Sequence, residues 1–183
     1  MWSSFAKTAS LTVLAAGIAG SVFANPMVGG APMYENKNIV ENAVNSKDHT
    51  TLVAAVKAAG LVDTLAGPGP FTVFAPVNSA FDKLPAGTVD TLLKPENKAQ
   101  LTKVLTEHVV SGKLSTATLM KRIKANGGKY NMTAVSGDHL TAVMRGKGIY
   151  IIDESGGASK ITVADVNQSN GVIQVVNKVL LPK

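Results

Sequence analysis

Three histidines, His49, His108 and His139, are the side chains of this sequence best suited to general-base or metal-ligand chemistry. They share no HExxH or other local ligand spacing, and the chain has no Cys to complete a site. The lack of Cys excludes cysteine nucleophiles, thiolate zinc sites, iron–sulfur clusters and disulfides. His108 follows Leu101, Val104 and Leu105 on the apolar side of a helical pattern. That position suits a ligand or a general base, and it also suits a buried imidazole satisfied by backbone partners. The second reading carries more weight, because a base needs a partner and the sequence supplies none beside it. His49 falls at a helix start and His139 beside a turn, both surface-type positions. No G-x-S-x-G elbow and no S-x-x-K occurs, so serine hydrolase chemistry lacks its local signature. Gly67-Pro68-Gly69-Pro70 reads as a rigid turn, not a phosphate cradle. Its prolines remove backbone donors, and a strand pattern follows it where a cradle would open a helix.

The 18 Lys and Arg residues outnumber the 12 Asp and Glu, for a formal charge of +6. Lys121, Arg122, Lys124 and Lys129 form a local basic cluster. One reading is contact with anionic glycan, lipid headgroups or nucleic acid. The favoured reading is the solvated end of a helix, where cations meet the negative pole of the dipole. The net charge predicts weak, salt-sensitive attraction to anionic surfaces. After residue 24 the aromatics are Phe71, Phe74, Phe81, Tyr34, Tyr130 and Tyr150, too few for a stacking surface. Nucleic acid is therefore not expected as a partner.

The elements that must position these groups change character along the chain. Residues 1–24 carry one charge, Lys7, then an apolar run from Leu11 to Ala24 ending in small residues. This reads as a secretory signal peptide, and the run is too short and too rich in Gly and Ala for a spanning helix. Residues 25–35 read as a flexible leader. Ile39 to Val44, Leu52 to Ala59, Thr88 to Leu93, Leu101 to Val109 and Ser115 to Ile123 show helical spacing. Asp48 or Thr50 is the expected N-cap of the second, and Gly60 its C-cap. Phe71 to Ala75 reads as a short strand ended by Pro76, with Asn78 capping the helix after it. From Tyr130 onward the period becomes two. Strands are expected around Met132, Leu140 to Met144, Ile149 to Asp153, Ile161 to Val166 and Val172 to Val176. Asn170-Gly171 is the expected tight turn before the last. Helices first and a strand meander afterwards predict an α+β fold in one domain, residues 36–183.

Three ordered segments resemble the fasciclin-type domain. The first is Phe71-Thr72-Val73-Phe74-Ala75-Pro76-Val77-Asn78-Ser79-Ala80-Phe81, preceded by Thr51 to Val56. The second is His108-Val109-Val110-Ser111-Gly112-Lys113-Leu114. The third is Ser169-Asn170-Gly171-Val172-Ile173-Gln174-Val175-Val176. Together they cover nearly all of residues 36–183, and the chain is most similar to secreted, single-domain bacterial members. The resemblance implies N-terminal helices packed on a C-terminal antiparallel β wedge. It implies mainly structural roles for Phe71, Val73, Phe74, Pro76, Asn78, Phe81, His108, Asn170, Gly171 and Val172. It also implies a non-enzymatic adhesion or interaction module without a cofactor. Its expected partner is a protein or anionic glycan of the cell envelope or matrix, met in the periplasm or outside the cell. A monomer is the default expectation. The alternative is a carrier of a small apolar ligand such as a carotenoid or lipid. A hydrolase acting on envelope polymers has only location and abundant Ser and Thr in its favour. Three positions depart from the family pattern. Glu107 stands where a tyrosine linked to integrin-type adhesion is common, Gln174 where His is common, and Asn177 where Asp is common.

Overall fold

The structure, a computed structural model, describes residues 24–183. The expected signal peptide lies outside the described residues except for Ala24. Helices occupy the first half: α1 Ile39–Ala43, α2 Thr50–Ala59, α3 Val62–Ala66, α4 Asn78–Phe81, α5 Thr88–Leu92, α6 Lys98–Glu107 and α7 Thr116–Ala125. The strands are β1 Met27–Val28, β2 Ala31–Pro32, β3 Phe71–Pro76, β4 Val109–Ser111, β5 Lys129–Thr133, β6 His139–Arg145, β7 Gly148–Ile152, β8 Ala158–Gln168 and β9 Gly171–Val176.

Seven strands form one sheet in the order β4-β3-β9-β8-β7-β6-β5. The α+β class holds, but the sheet is mixed. β3 runs parallel to β9, with Phe71 opposite Gly171 and Pro76 opposite Val176, while the other pairs are antiparallel. A parallel pair needs a long crossover. Here the crossover is the whole chain from α4 to β8, so the period of either strand alone could not show the pairing.

The central strands carry core on both faces. Val73 and Ala75 of β3, with Ile173 and Val175 of β9, join the apolar residues of α1–α6 in one cluster. Phe74 and Val176 turn the other way, to Leu119 and Ile123 of α7 and to Leu140, Ala142 and Ile151 of β6 and β7. Alternation along a strand supplies both layers from one sequence segment.

Long β8 joins the two halves of the sheet. Its pairing with β9 shifts between Ile161 and Val166, and Asp165 in that stretch has φ 54°. Such a left-handed residue bends and twists a strand.

Four expectations need correction. Residues 27–33 are not a loose leader. They form the β1–β2 hairpin and bury Val28 and Met33 in the first cluster. α6 stops at Glu107, His108 is its C-cap, and Val109 begins β4. Neither Asp48 nor Thr50 is the N-cap of α2. His49 holds that position without a side-chain cap, while Gly60 does close the helix in the left-handed region. Finally, Gln168 pairs with Gly171, so the tight turn is Ser169-Asn170 and Gly171 already belongs to β9. Positive φ does not explain either Asn170 or Gly171. Gly171 is required because a Cβ there would collide with the backbone of Phe71.

Candidate functional site

His108 sits where α6 gives way to β4 and is 2% exposed. Its Nδ1 lies 2.8 Å from the Val104 carbonyl oxygen, and its Nε2 accepts the Leu180 N–H at 2.9 Å. A carbonyl only accepts and an amide only donates, so the proton resides on Nδ1. Burial pushes the imidazole down to about 4, against the raising effects of the Val104 bond and Asp153. A neutral ring with both nitrogens engaged has no free lone pair for a metal and none for a substrate proton. Among the described residues no group of three His, Asp or Glu comes together as a metal site.

The two signature asparagines each cap an element remote in sequence. Asn78 is the first residue of α4, and it does not cap that helix. Its Oδ1 accepts from Thr51 N at 3.1 Å and from Thr50 Oγ1 at 3.2 Å, and its Nδ2 donates to the Lys47 carbonyl at 2.8 Å. It thus satisfies one free N–H group at the start of α2, where the local sequence has no side-chain cap. Asn170 Oδ1 accepts the Ile39 N–H at 3.0 Å, at the start of α1. Its Nδ2 donates to Leu65 O at 2.8 Å and Gly67 O at 2.9 Å, at the end of α3. Phe71, Val73 and Phe81 pack in the first cluster, Phe74 in the second, and Pro76 and Val172 are buried in β3 and β9.

An apolar cavity lies between the helices and the sheet. Val56 and Leu52 of α2, Ile39 and Ala43 of α1, Val73 of β3 and Ile173 of β9 line it, with His49, Ser46, His108 and Lys57 as its polar lining. It offers about 50 Å³ to the centre of a water-sized sphere. His49 is buried, contrary to the surface position its sequence context predicts. Its Nδ1 lies 2.8 Å from Ser46 Oγ, while Nε2 has no hydrogen-bond partner. Burial lowers its pKa.

The three departures have defined surroundings. Glu107 is fully buried at the negative end of α6, its Oε2 accepting from Ser136 Oγ at 2.6 Å and its Oε1 unpartnered. Gln174 Nε2 donates to Leu114 O at 3.1 Å and to Asp165 Oδ1 at 2.9 Å. Asn177 Oδ1 accepts the Lys160 N–H at 2.9 Å. Asp165 went unread in the sequence. It also receives Thr116 N at 2.8 Å and the Thr116 hydroxyl, capping α7 from outside.

The basic cluster divides. Lys121, Arg122 and Lys124 are exposed on α7, and the Arg122 guanidinium lies 5.0 Å from the Tyr130 ring centroid and bonds its hydroxyl. Lys129 alternates with Tyr130 on β5 and therefore faces the other side of the sheet.

Asn78, His108 and Asn170 all fall within the span of a known domain. The family model described as Fasciclin domain covers residues 47–182.

The chain belongs to the fasciclin family.

It is 46% identical over 146 residues to Protein sll1483 of Synechocystis, across 79% of this chain and 73% of that protein. It is 33% identical over 145 residues to the cell surface glycolipoprotein MPB83 of Mycobacterium bovis, across 76% of this chain and 58% of that protein. Its fold is similar to the solved FAS1 domain pair of the insect cell adhesion molecule fasciclin I. The TM-score is 0.70 at 16% identity over 79% of this chain, which spans about half, 51%, of that longer chain. Asn78 and Asn170 thus serve in this chain as caps, Phe71, Val73, Phe74 and Phe81 as core packing, and His108 as a buried imidazole.

Proposed function

We propose that this fasciclin-family protein is a non-enzymatic interaction module, exported to the bacterial envelope or its surrounding matrix, that binds a protein or glycan there as a monomer. The observation that carries this reading is the full engagement of His108 by Val104 and Leu180. The residue best suited to chemistry is committed to the scaffold, which leaves the surface to supply function. A cell surface relative and a cell adhesion molecule among the similar proteins agree with it. In the source organism, in situ cross-linking of the tagged protein followed by mass spectrometry tests it. Specific envelope or matrix partners are the expected result. A protein retained in the cytoplasm, or one that turns over substrates in an activity panel, overturns the reading.

A second reading, carriage of a small apolar ligand, draws on the cavity and the unpartnered His49 Nε2. Room of about 50 Å³ favours a compact ligand with one polar end over an extended polyene. Native mass spectrometry of the protein from its source tests this. A ligand-free mass and no uptake of small apolar probes remove it.

A further inference from the structure

The strands β5–β8 have one covered face and one open face. Met132, Leu140, Ala142, Ile149 and Ile151 pack in the cluster beneath α7. The alternate positions face solvent. Register places Lys129 opposite Val143, Val143 opposite Tyr150 and Tyr150 opposite Lys160, in one row across four strands. Strands stand about 4.8 Å apart, so the row spans about 14 Å. Arg145 lies two residues beyond Val143, with its guanidinium 5.4 Å from the Tyr150 ring centroid. Gly148 makes this grouping possible. A Cβ there would come within 3.2 Å of Lys160 Cε and 3.3 Å of a Tyr150 ring carbon. The Arg145 head is thus held over the Tyr150 ring, with Lys160 opposite Tyr150 in register.

A second row continues the face with Asn131, Thr141, Ile152 and Ala158, where Thr141 Oγ1 donates to Asn131 Oδ1 at 2.9 Å. Neither row contains Asp or Glu. Asp138 and Glu154 stand at the opposite end of the strands, before β6 and after β7. The open face therefore combines fixed cations, one aromatic ring, and a strip of amide and hydroxyl groups.

We propose that this face binds an anionic polysaccharide, one bearing carboxylate or sulfate groups. The cations supply charge complementarity, and the placement of Arg145 over Tyr150 lowers the entropy lost on binding. The ring holds Arg145 in place, and Asn131 and Thr141 suit sugar hydroxyls. Single-stranded nucleic acid is a poorer match, because it needs successive rings, and this face has one, already covered by Arg145. The surface is distinct from the α7 cations, although Lys129 had been grouped with them by sequence. The inference rests on reading the protein as an interaction module and narrows it to a partner class.

The test compares K129Q/R145Q/K160Q with K121Q/R122Q/K124Q, which removes the same charge from α7. Binding of the protein to dextran sulfate, alginate, uncharged dextran and poly(dT) is measured at physiological salt and across a salt series. Unchanged thermal melts establish that each variant folds, and Y150A removes the ring alone. Expected are binding to a charged polysaccharide but not to uncharged dextran, a loss of about tenfold in the sheet variant, and a loss below about threefold in the helix variant. Y150A weakens binding without changing its salt dependence. Equal losses in the two triple variants, tighter binding of poly(dT) than of either glycan, or no binding of dextran sulfate and alginate overturn the proposal. Recovery of a protein partner by cross-linking alongside absent polysaccharide binding removes this inference and leaves the module reading standing.

Discussion

His108 and Asp153 hold consecutive amides of the C-terminal segment. His108 Nε2 accepts the Leu180 N–H at 2.9 Å, and Asp153 Oδ2 accepts the Leu181 N–H at 3.1 Å. Asp153 Oδ1 also receives Ser155 Oγ at 2.7 Å and Gly157 N at 2.6 Å, closing its own loop. One residue after α6 and one after β7 thereby fasten the chain beyond β9 to the second core cluster, where Leu180 is fully buried.

Acid weakens that clasp. His108 titrates at about 4 in the folded protein, below its ordinary value, so the unfolded chain binds the proton more tightly. The His108 contribution to stability is full above about pH 6.5 and falls as pH drops toward 4, by about 3 kcal/mol over the window. Urea midpoints from pH 4 to 7, with the His108 ring proton followed by NMR, check this. A His108 that titrates near pH 6.5 in the native protein would refute it.

Glu107 acts with the opposite sign. Burial pushes its carboxyl up, the Ser136 hydroxyl opposes the shift, and Asp138 and Glu154 add to it. The Lys103 ammonium stands 3.4 Å from Asp138 Oδ2 at the edge of the group. The folded state holds the Glu107 proton more tightly than the unfolded chain does. Its contribution is present below the ordinary carboxylate range and is lost as pH rises through the raised folded value. Glu107→Gln keeps an acceptor for Ser136 and carries no charge. Its stability therefore gains on that of the parent as pH rises through the raised Glu107 value, with the His108 effect common to both. A stability difference between the two proteins that does not change with pH would exclude a Glu107 contribution.

The signature asparagines differ in what each can lose. Asn78→Ala strips the start of α2 of its cap and costs about 1–2 kcal/mol. Asn170→Asp is worse than Asn170→Ala, because a carboxylate cannot donate to Leu65 O and Gly67 O and faces both carbonyls. Chemical denaturation ranks the three variants. Equal costs at position 170 would contradict the assigned donors.

Asp165 combines an unfavourable backbone with a useful side chain. Asp165→Ala keeps φ 54° without the bonds to Thr116 and Gln174, and is expected to cost about 2 kcal/mol. Asp165→Gly relieves the backbone but still frees the start of α7, so it falls between the parent and the alanine variant. Melting temperatures of the three proteins test the order. A glycine variant as stable as the parent would leave the cap without energetic weight.

Local sequence determined much of this molecule. The 3.6 period, Gly60 and Ser115 mark α2 and α7, and the alternation after Tyr130 marks the meander, because short-range sterics and capping act between near neighbours. The block order around Phe71, His108 and Asn170 was enough to place the chain in its family. Tertiary structure alone decided the partners of remote groups: the parallel pairing of β3 with β9, the helices that Asn78 and Asn170 cap, and the burial of His49 and Glu107. It also moved Lys129 away from Lys121 and Lys124 to stand in line with Tyr150 and Lys160. Which face a side chain presents follows from local period. What meets that face is fixed only when distant segments pack and each buried polar group must find a partner.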